Sequence, residues 1–302
     1  MSSVRTVAVA LSLVVVTAVV ACSSSSSDAG SSGTPVVTTP EAGPKPSEAP
    51  CSEPADQRPA GSACVKTVAG RLVEDGTSAP VKLLTTVCGT GLCLLGDGDA
   101  NGFTVAVNRF VNLDAFVVHV DGRPTHANVY VRLAPTSSDA VVLGNPIRVP
   151  KLDQVGPALP MTAPGATLVV KAGDVALALG ATTVVELDFA DAALEAEGRK
   201  LRSGRVSSEV VKDPNLVVLH ALSPFAVTLT PAAEVAITLP ANHGIADGTA
   251  VDLVALDDTL DSPDNGKLKV VATATVTAGV AKSDPGTGLT RLTWVGVRKK
   301  GS

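Results

Sequence analysis

The chain has 302 residues, a formal net charge of −5 and 47 valines, but only seven aromatic side chains: Phe103, Phe110, Phe116, Tyr130, Phe189, Phe225 and Trp294. This mildly acidic balance offers no concentrated basic face for a phosphate backbone, so nucleic acid is excluded as a partner. Seven rings, most of them set in apolar runs, leave few to stack on exposed bases or sugars.

Residues 1–21 read as an export signal. Arg5 makes the start positive, and residues 6–20 form an apolar stretch shorter than the roughly 20 residues that span a bilayer. It ends in Val19-Val20-Ala21-Cys22, which resembles the lipobox of bacterial lipoproteins. The resemblance implies cleavage after Ala21 and a diacylglycerol on the Cys22 thiol, which anchors the protein to a membrane without spanning it. The alternative is an ordinary signal peptide with a chance cysteine. Ser23, rather than Asp, follows Cys22, which favours the outer membrane in a Gram-negative cell.

Residues 22–50 are rich in Ser, Gly, Pro, Ala and Thr, with Val36-Val37 the only apolar pair. Such a segment buries too little surface to offset its chain entropy and is predicted to be a disordered tether. As a flexible coil it would hold the folded part on the order of 30 Å from the bilayer. Four further cysteines, Cys51, Cys64, Cys88 and Cys93, read in an exported chain as two disulfides. Three pairings are possible; short loop closure favours Cys51–Cys64 with Cys88–Cys93. A zinc site is the rival reading, but the usual Cys-x-x-Cys knuckles are missing.

From Cys64 onward, valine-rich runs of period two are broken by Gly, Pro, Asp and Asn every 8 to 14 residues. Phe103, Val105 and Val107 alternate with Thr104, Ala106 and Asn108; Val129, Val131 and Leu133 alternate with Asn128, Tyr130 and Arg132. Similar runs fall at 115–120, 183–189, 215–220, 225–230, 234–239, 250–256, 267–277 and 289–297. These are half-buried strand patterns, and only residues 188–201 suit a helix. The expectation is an all-β chain: two β-sandwich domains after a disordered tether. The first would span 51–135 with both disulfides, and the second 140–302. A polar, proline-marked joint at 134–139 divides them, and a second weak point lies at 156–165.

Two stretches bear family resemblances. Val68-Ala69-Gly70-Arg71-Leu72-Val73, then Ala79-Pro80-Val81, then Asp99-Ala100-Asn101-Gly102-Phe103-Thr104-Val105 resemble the carboxypeptidase regulatory-like fold, a transthyretin-type sandwich. The cysteine-bearing insertion at 88–95 departs from that pattern. Residues 219–239, Asp247-Gly248-Thr249-Ala250-Val251, Ser283-Asp284-Pro285-Gly286 and Trp294 resemble β-sandwich modules of bacterial surface proteins, distantly similar to a domain shared by ankyrins and netrin receptors. The resemblance implies a surface scaffold. Some relatives of that fold cleave themselves at His-(Phe/Leu)-Ser/Thr; His220-Ala221-Leu222-Ser223 has one residue too many, so self-cleavage is not carried over.

Candidate chemistry is sparse. Asp97, Asp99 and Asn101 match the opening of a calcium loop, whose alternate oxygens converge on a hard cation. The twelfth position holds Asn108 instead of Glu, and a metal-free Asp/Asn/Gly turn is the competing reading. Of the four histidines, only His119 and His126 stand where they could meet, across the Asp121-Gly122 turn. Glu186, Asp188, Asp191, Glu195 and Glu197, answered by Arg199, Lys200, Arg202 and Arg205, read as a salt-bridged surface; Arg298, Lys299 and Lys300 read as a solvated tail. No nucleophile elbow, Ser-x-x-Lys or His-Glu-x-x-His motif is present, so no catalytic residue is assigned. The functional expectation is a non-enzymatic, lipid-anchored envelope protein that binds or scaffolds an extracytoplasmic partner. The alternatives are a hydrolase with a loop-built site and an accessory subunit of a surface complex.

Overall fold

A computed structural model describes residues 51–301 apart from 90–91, 113–115, 134–138, 161–164, 188–197, 226, 260–261 and 263. The signal 1–21, the lipidation site Cys22, the tether 22–50, Asp188, Asp191, Glu195 and Glu197, and most of the 134–139 joint lie outside the described residues.

Alternation of apolar and polar side chains sends every second residue to one face of a strand. Ten strands build the first part: β1 (Ala63–Gly70), β2 (Leu72–Glu74), β3 (Leu84–Gly89), β4 (Leu92–Leu95), β5 (Asp97–Asp99), β6 (Gly102–Val111), β7 (Val117–Asp121), β8 (Val129–Arg132), β9 (Ala140–Val142) and β10 (Ile147–Val149). Twelve follow: β11 (Gln154–Ala158), β12 (Leu168–Ala172), β13 (Val175–Leu179), β14 (Val184–Leu187), β15 (Lys200–Arg205), β16 (Leu216–Ser223), β17 (Val227–Thr238), β18 (Ala250–Leu256), β19 (Leu268–Thr277), β20 (Val280–Ser283), β21 (Leu289–Arg291) and β22 (Val295–Lys299). The chain is all-β; the described residues contain one short 3-10 turn, Ala55–Gln57, and no α-helix.

The first ten strands form sheets of order β5-β6-β1-β9, β4-β3-β7-β8 and β10-β2. The rest form one sheet of order β11-β15-β16-β22-β18-β19-β20-β17-β13-β12, with β14 and β21 also paired to β17. That sheet nearly closes on itself. Its end strands β11 and β12 come so close that a Cβ at Gly156 would collide with the Lys171 carbonyl oxygen, so glycine is required there. Among the described residues only β1–β9 and β2–β10 are parallel. β9 and β10 lie beyond residue 140 yet pair with β1 and β2, and the chain leaves the first core only after Leu152.

Two of the sequence runs, 225–230 and 234–239, form the single strand β17. Pro231 has no N–H to give a ladder, and β17 changes partner around it: residues 227–230 pair with β14, residues 234–237 with β13. The 289–297 run is instead two strands, β21 and β22, separated at Leu292–Trp294. Lys200 and Leu201, assigned to a possible helix, begin strand β15.

Two apolar cores fill the fold. The first gathers Val65, Val68, Phe103, Val105, Val107 and Phe116 with Leu219, Ala221, Phe225, Leu256 and Trp294. The second gathers Leu177, Leu179, Leu201, Val218, Leu222, Leu253 and Val295, among others. Both cores draw on β16, because Leu219 and Ala221 face one and Val218 and Leu222 the other. Trp294, just before β22, enters the first core while Val295 and Val297 enter the second. Fully burying an aliphatic side chain contributes about 1.5–3 kcal/mol, so strands that bury residues on both faces tie the two cores together.

Candidate binding groove and polar cleft

The cysteines pair as short loop closure favours. Cys51–Cys64 ties the segment before β1 to β1, where Cys64 pairs with Phe110 of β6, and the Cys51 amide donates to the Asn108 carbonyl of β6 at 3.0 Å. The Arg58 guanidinium then lies 4.0 Å over the Phe110 ring. Cys88–Cys93 bridges directly opposed residues of β3 and β4.

Asp97, Asp99 and Asn101 stand on the β5–β6 hairpin. Asp99 Oδ1 accepts the amides of Asn101 at 2.6 Å and Gly102 at 3.3 Å, so this carboxylate closes the turn. Those hydrogen bonds hold its carboxyl below the usual carboxylate range. Among the described residues, no three His, Cys, Asp or Glu side chains are grouped to hold a metal ion.

His119 and His126 have separate partners. His119 stacks on Tyr130 with centroids 4.5 Å apart and receives Asn128 Nδ2 at 3.4 Å; burial depresses its proton affinity. His126 Nε2 is 3.2 Å from Glu74 Oε2. Of the expected solvated tail, Lys299 and Lys300 are exposed, but β22 runs to Lys299 and Arg298 within it places Nη2 3.7 Å from Asp252 and Nη1 3.9 Å from Asp213.

A groove of about 880 Å³ opens among the described residues. Its floor includes Trp294 and Leu256, both buried, with the partly buried Tyr130, Val131, Val211 and Leu268 around them. Trp294 is held there by its indole N–H, which donates to the Asn128 carbonyl at 2.9 Å. Gly266, at φ 78°, lets its loop pass against Tyr130, and Arg132 Nη1 donates to the Asn265 carbonyl at 3.1 Å. The lining carries four cations, Arg148, Lys212, Lys267 and Arg298, against two carboxylates, Glu209 and Asp213.

Two strand edges line this groove. β8 ends its sheet, and β10 has β2 as its one ladder partner. The Leu133 amide donates to the Phe116 carbonyl at 3.2 Å, extending the β7–β8 ladder. Antiparallel ladders bond at every second pair, so pairs 118/131 and 120/129 bond while the Tyr130 backbone turns away from β7. On β10, the Ile147 amide donates to Arg71 and the Val149 carbonyl accepts from Asp75, which turns the Arg148 N–H and C=O away from β2. Sequence reading missed this site because its residues come from five separate stretches. The strand runs at 129–133, 250–256, 267–277 and 289–297 were visible in advance, but not that they meet here.

A second, polar cleft of about 430 Å³ is lined by Asp174, Ser203, Arg205 and His220, among others. His220 pairs with Arg205 in register and is 3 % exposed; its Nε2 is buried without a hydrogen-bond partner. Burial lowers its pKa to about 4, with Asp174 opposing and Arg205 reinforcing the shift. The Ser203 hydroxyl donates to the Ala172 carbonyl at 2.8 Å. Ser203, His220 and Asp174 thus share a cleft, but no hydrogen bond links serine to imidazole, the contact a nucleophile–base pair needs.

No protein-family model, no curated protein and no solved structure matches the chain.

Proposed function

We propose that this chain is a non-enzymatic, lipid-anchored protein of the cell envelope that binds or scaffolds an extracytoplasmic partner. The observation that carries the reading is the pair of disulfides, Cys51–Cys64 and Cys88–Cys93, because thiols pair in this way outside the reducing cytoplasm. Cys22, in its lipobox-like setting, is the anchor, and residues 23–50 are the tether; Ser23 favours the outer membrane. The resemblances to a transthyretin-type sandwich and to bacterial surface modules support a scaffold role. The groove over Trp294 is where a partner sits.

Protease shaving of intact cells, beside a Cys22→Ala variant, tests this. Release of the folded part from intact cells is expected for a surface role, and release only after outer-membrane permeabilisation for a periplasmic one. A Cys22→Ala protein that stays in the membrane fraction sinks the lipoprotein reading.

One observation favours a hydrolase as the second reading, the shared cleft of Ser203, His220 and Asp174. A scan with acyl, phosphoryl and glycosyl reporter substrates separates the two. Turnover abolished by Ser203→Ala or His220→Ala overturns the non-enzymatic proposal.

A further inference from the structure

We infer that the polar cleft around His220 binds a small free zwitterion, an amino acid with one carboxylate and one ammonium group. The cleft shares no residue with the groove over Trp294 and takes a free solute rather than a polypeptide partner. It is lined from β11, the β12–β13 turn, β15 and β16, where the large sheet nearly closes on itself. Along β16, His220 stands between Val218 and Leu222, on the face that meets the second core. Its ring therefore brings a polar group from an apolar interior into a cleft of about 430 Å³. Mouths of closed sheets are recurrent sites for small ligands, and this volume suits one.

Part of the charge in the cleft is already engaged. The Asp75 carboxylate accepts the Ser207 amide at 2.9 Å and hydroxyl at 2.7 Å, Lys151 Nζ lies 3.7 Å from Glu74, and Asp153 accepts from Gln154 at 3.3 Å. The Asp174 carboxylate, the Arg205 guanidinium and His220 Nε2 have no hydrogen-bond or ion-pair partner among the described residues. Arg205 and His220 are directly opposed in the β15–β16 ladder, so their side chains leave one face side by side. With its proton on Nε2, His220 joins the guanidinium as a donor to one carboxylate. Asp174 reaches the same cleft from the β12–β13 turn. The Ser203 hydroxyl pins that turn by donating to the Ala172 carbonyl at 2.8 Å, and Gly173, at φ 56°, lets it bend. Opposite charges that share a cleft without meeting are bridged by a ligand that carries both. A lone anion is repelled by Asp174 and a lone cation by Arg205, so neither alone suits the site.

Glycine, β-alanine and γ-aminobutyrate, which set the two charges progressively further apart, are titrated into the full chain. Acetate and methylammonium, with one charge each, are the controls. The readouts are calorimetry and the imidazole nitrogen resonance of His220, identified by its loss in His220→Gln. Saturable binding that shifts this resonance is expected for at least one zwitterion, with roughly tenfold weaker binding of either control. Asp174→Asn and Arg205→Gln, both at exposed positions, are expected to keep the wild-type melt and to weaken the zwitterion by a similar factor. No saturation by any zwitterion up to roughly 10 mM means that the cleft holds water only, and overturns the inference. Equal binding of either control, or an unchanged affinity in both variants, overturns it as well. These probes offer no bond for a hydrolase to cleave, and their binding does not depend on where the chain resides. The titration therefore fails separately from cell shaving and from the reporter scan.

Discussion

His220 lies on β16 with its Nε2 buried and unbonded, a setting that resists adding a proton. Leaving such an atom without a partner costs about 1–3 kcal/mol, and charging the ring there costs more. The folded-state pKa is about 4, below the unfolded value of roughly 6.5. Between those limits the unfolded chain binds a proton that the folded chain refuses. Stability from this group is therefore full above about pH 6.5 and declines as the pH falls toward 4, by at most about 3 kcal/mol. Denaturant melts of wild type and His220→Gln across pH 7 to 4 check this, the variant being expected to show a smaller decline. The residues that sequence reading singled out fared unevenly at this scale. Cys51, Cys64, Cys88 and Cys93 were legible because disulfide closure depends on short separations along the chain. His220 passed as one histidine among four, because its depressed pKa comes from burial in the folded chain, with Asp174 of the β12–β13 turn and Arg205 of β15 acting on it from other segments.

Among the elements, the short link between β21 and β22 has an outsized role. Trp294 there is 2 % exposed, fills the first core and donates its indole N–H to the Asn128 carbonyl beside β8. Removing the ring leaves a cavity that packed neighbours refill only in part. Trp294→Ala is expected to cost about 3–5 kcal/mol. Trp294→Phe keeps most of the apolar contact but deprives the buried Asn128 carbonyl of its donor, and is expected to cost about 1–3 kcal/mol. Chemical denaturation of both variants checks the order; equal losses would mean that the hydrogen bond contributes little. The strand pattern was readable from period-two alternation, as at Phe103, Val105 and Val107. Partner choice was not. β17 reads as two runs because Pro231 interrupts it, and only the ladders on either side of that proline, to β14 before it and β13 after it, show one continuous strand.

For the whole molecule, the strands buried on both faces decide how it unfolds. β16 gives Leu219 and Ala221 to the first core and Val218 and Leu222 to the second; β18 gives Leu256 to the first and Leu253 to the second. Opening either core strips one face of the same strands, so the two cores are coupled. The expected outcome is a single unfolding transition, with far-UV circular dichroism and Trp294 emission coinciding. Separate transitions would show that the cores are independent. Long-range pairing also crosses the polar joint at 134–139. Beyond it, β9 returns to pair with β1, a contact made some seventy residues back along the chain.

By itself the sequence determined the all-β character and favoured one of three disulfide pairings, because alternation and short loop closure are local. It also supplied the export signal and lipobox-like Cys22 as expectations, which lie outside the described residues. Tertiary structure decided what depends on distant segments meeting: the return of β9 and β10 to the first core, the burial of His220, and the groove that brings β8, β10 and Trp294 together. Those features rest on contacts between residues scores of positions apart, and no local period encodes them.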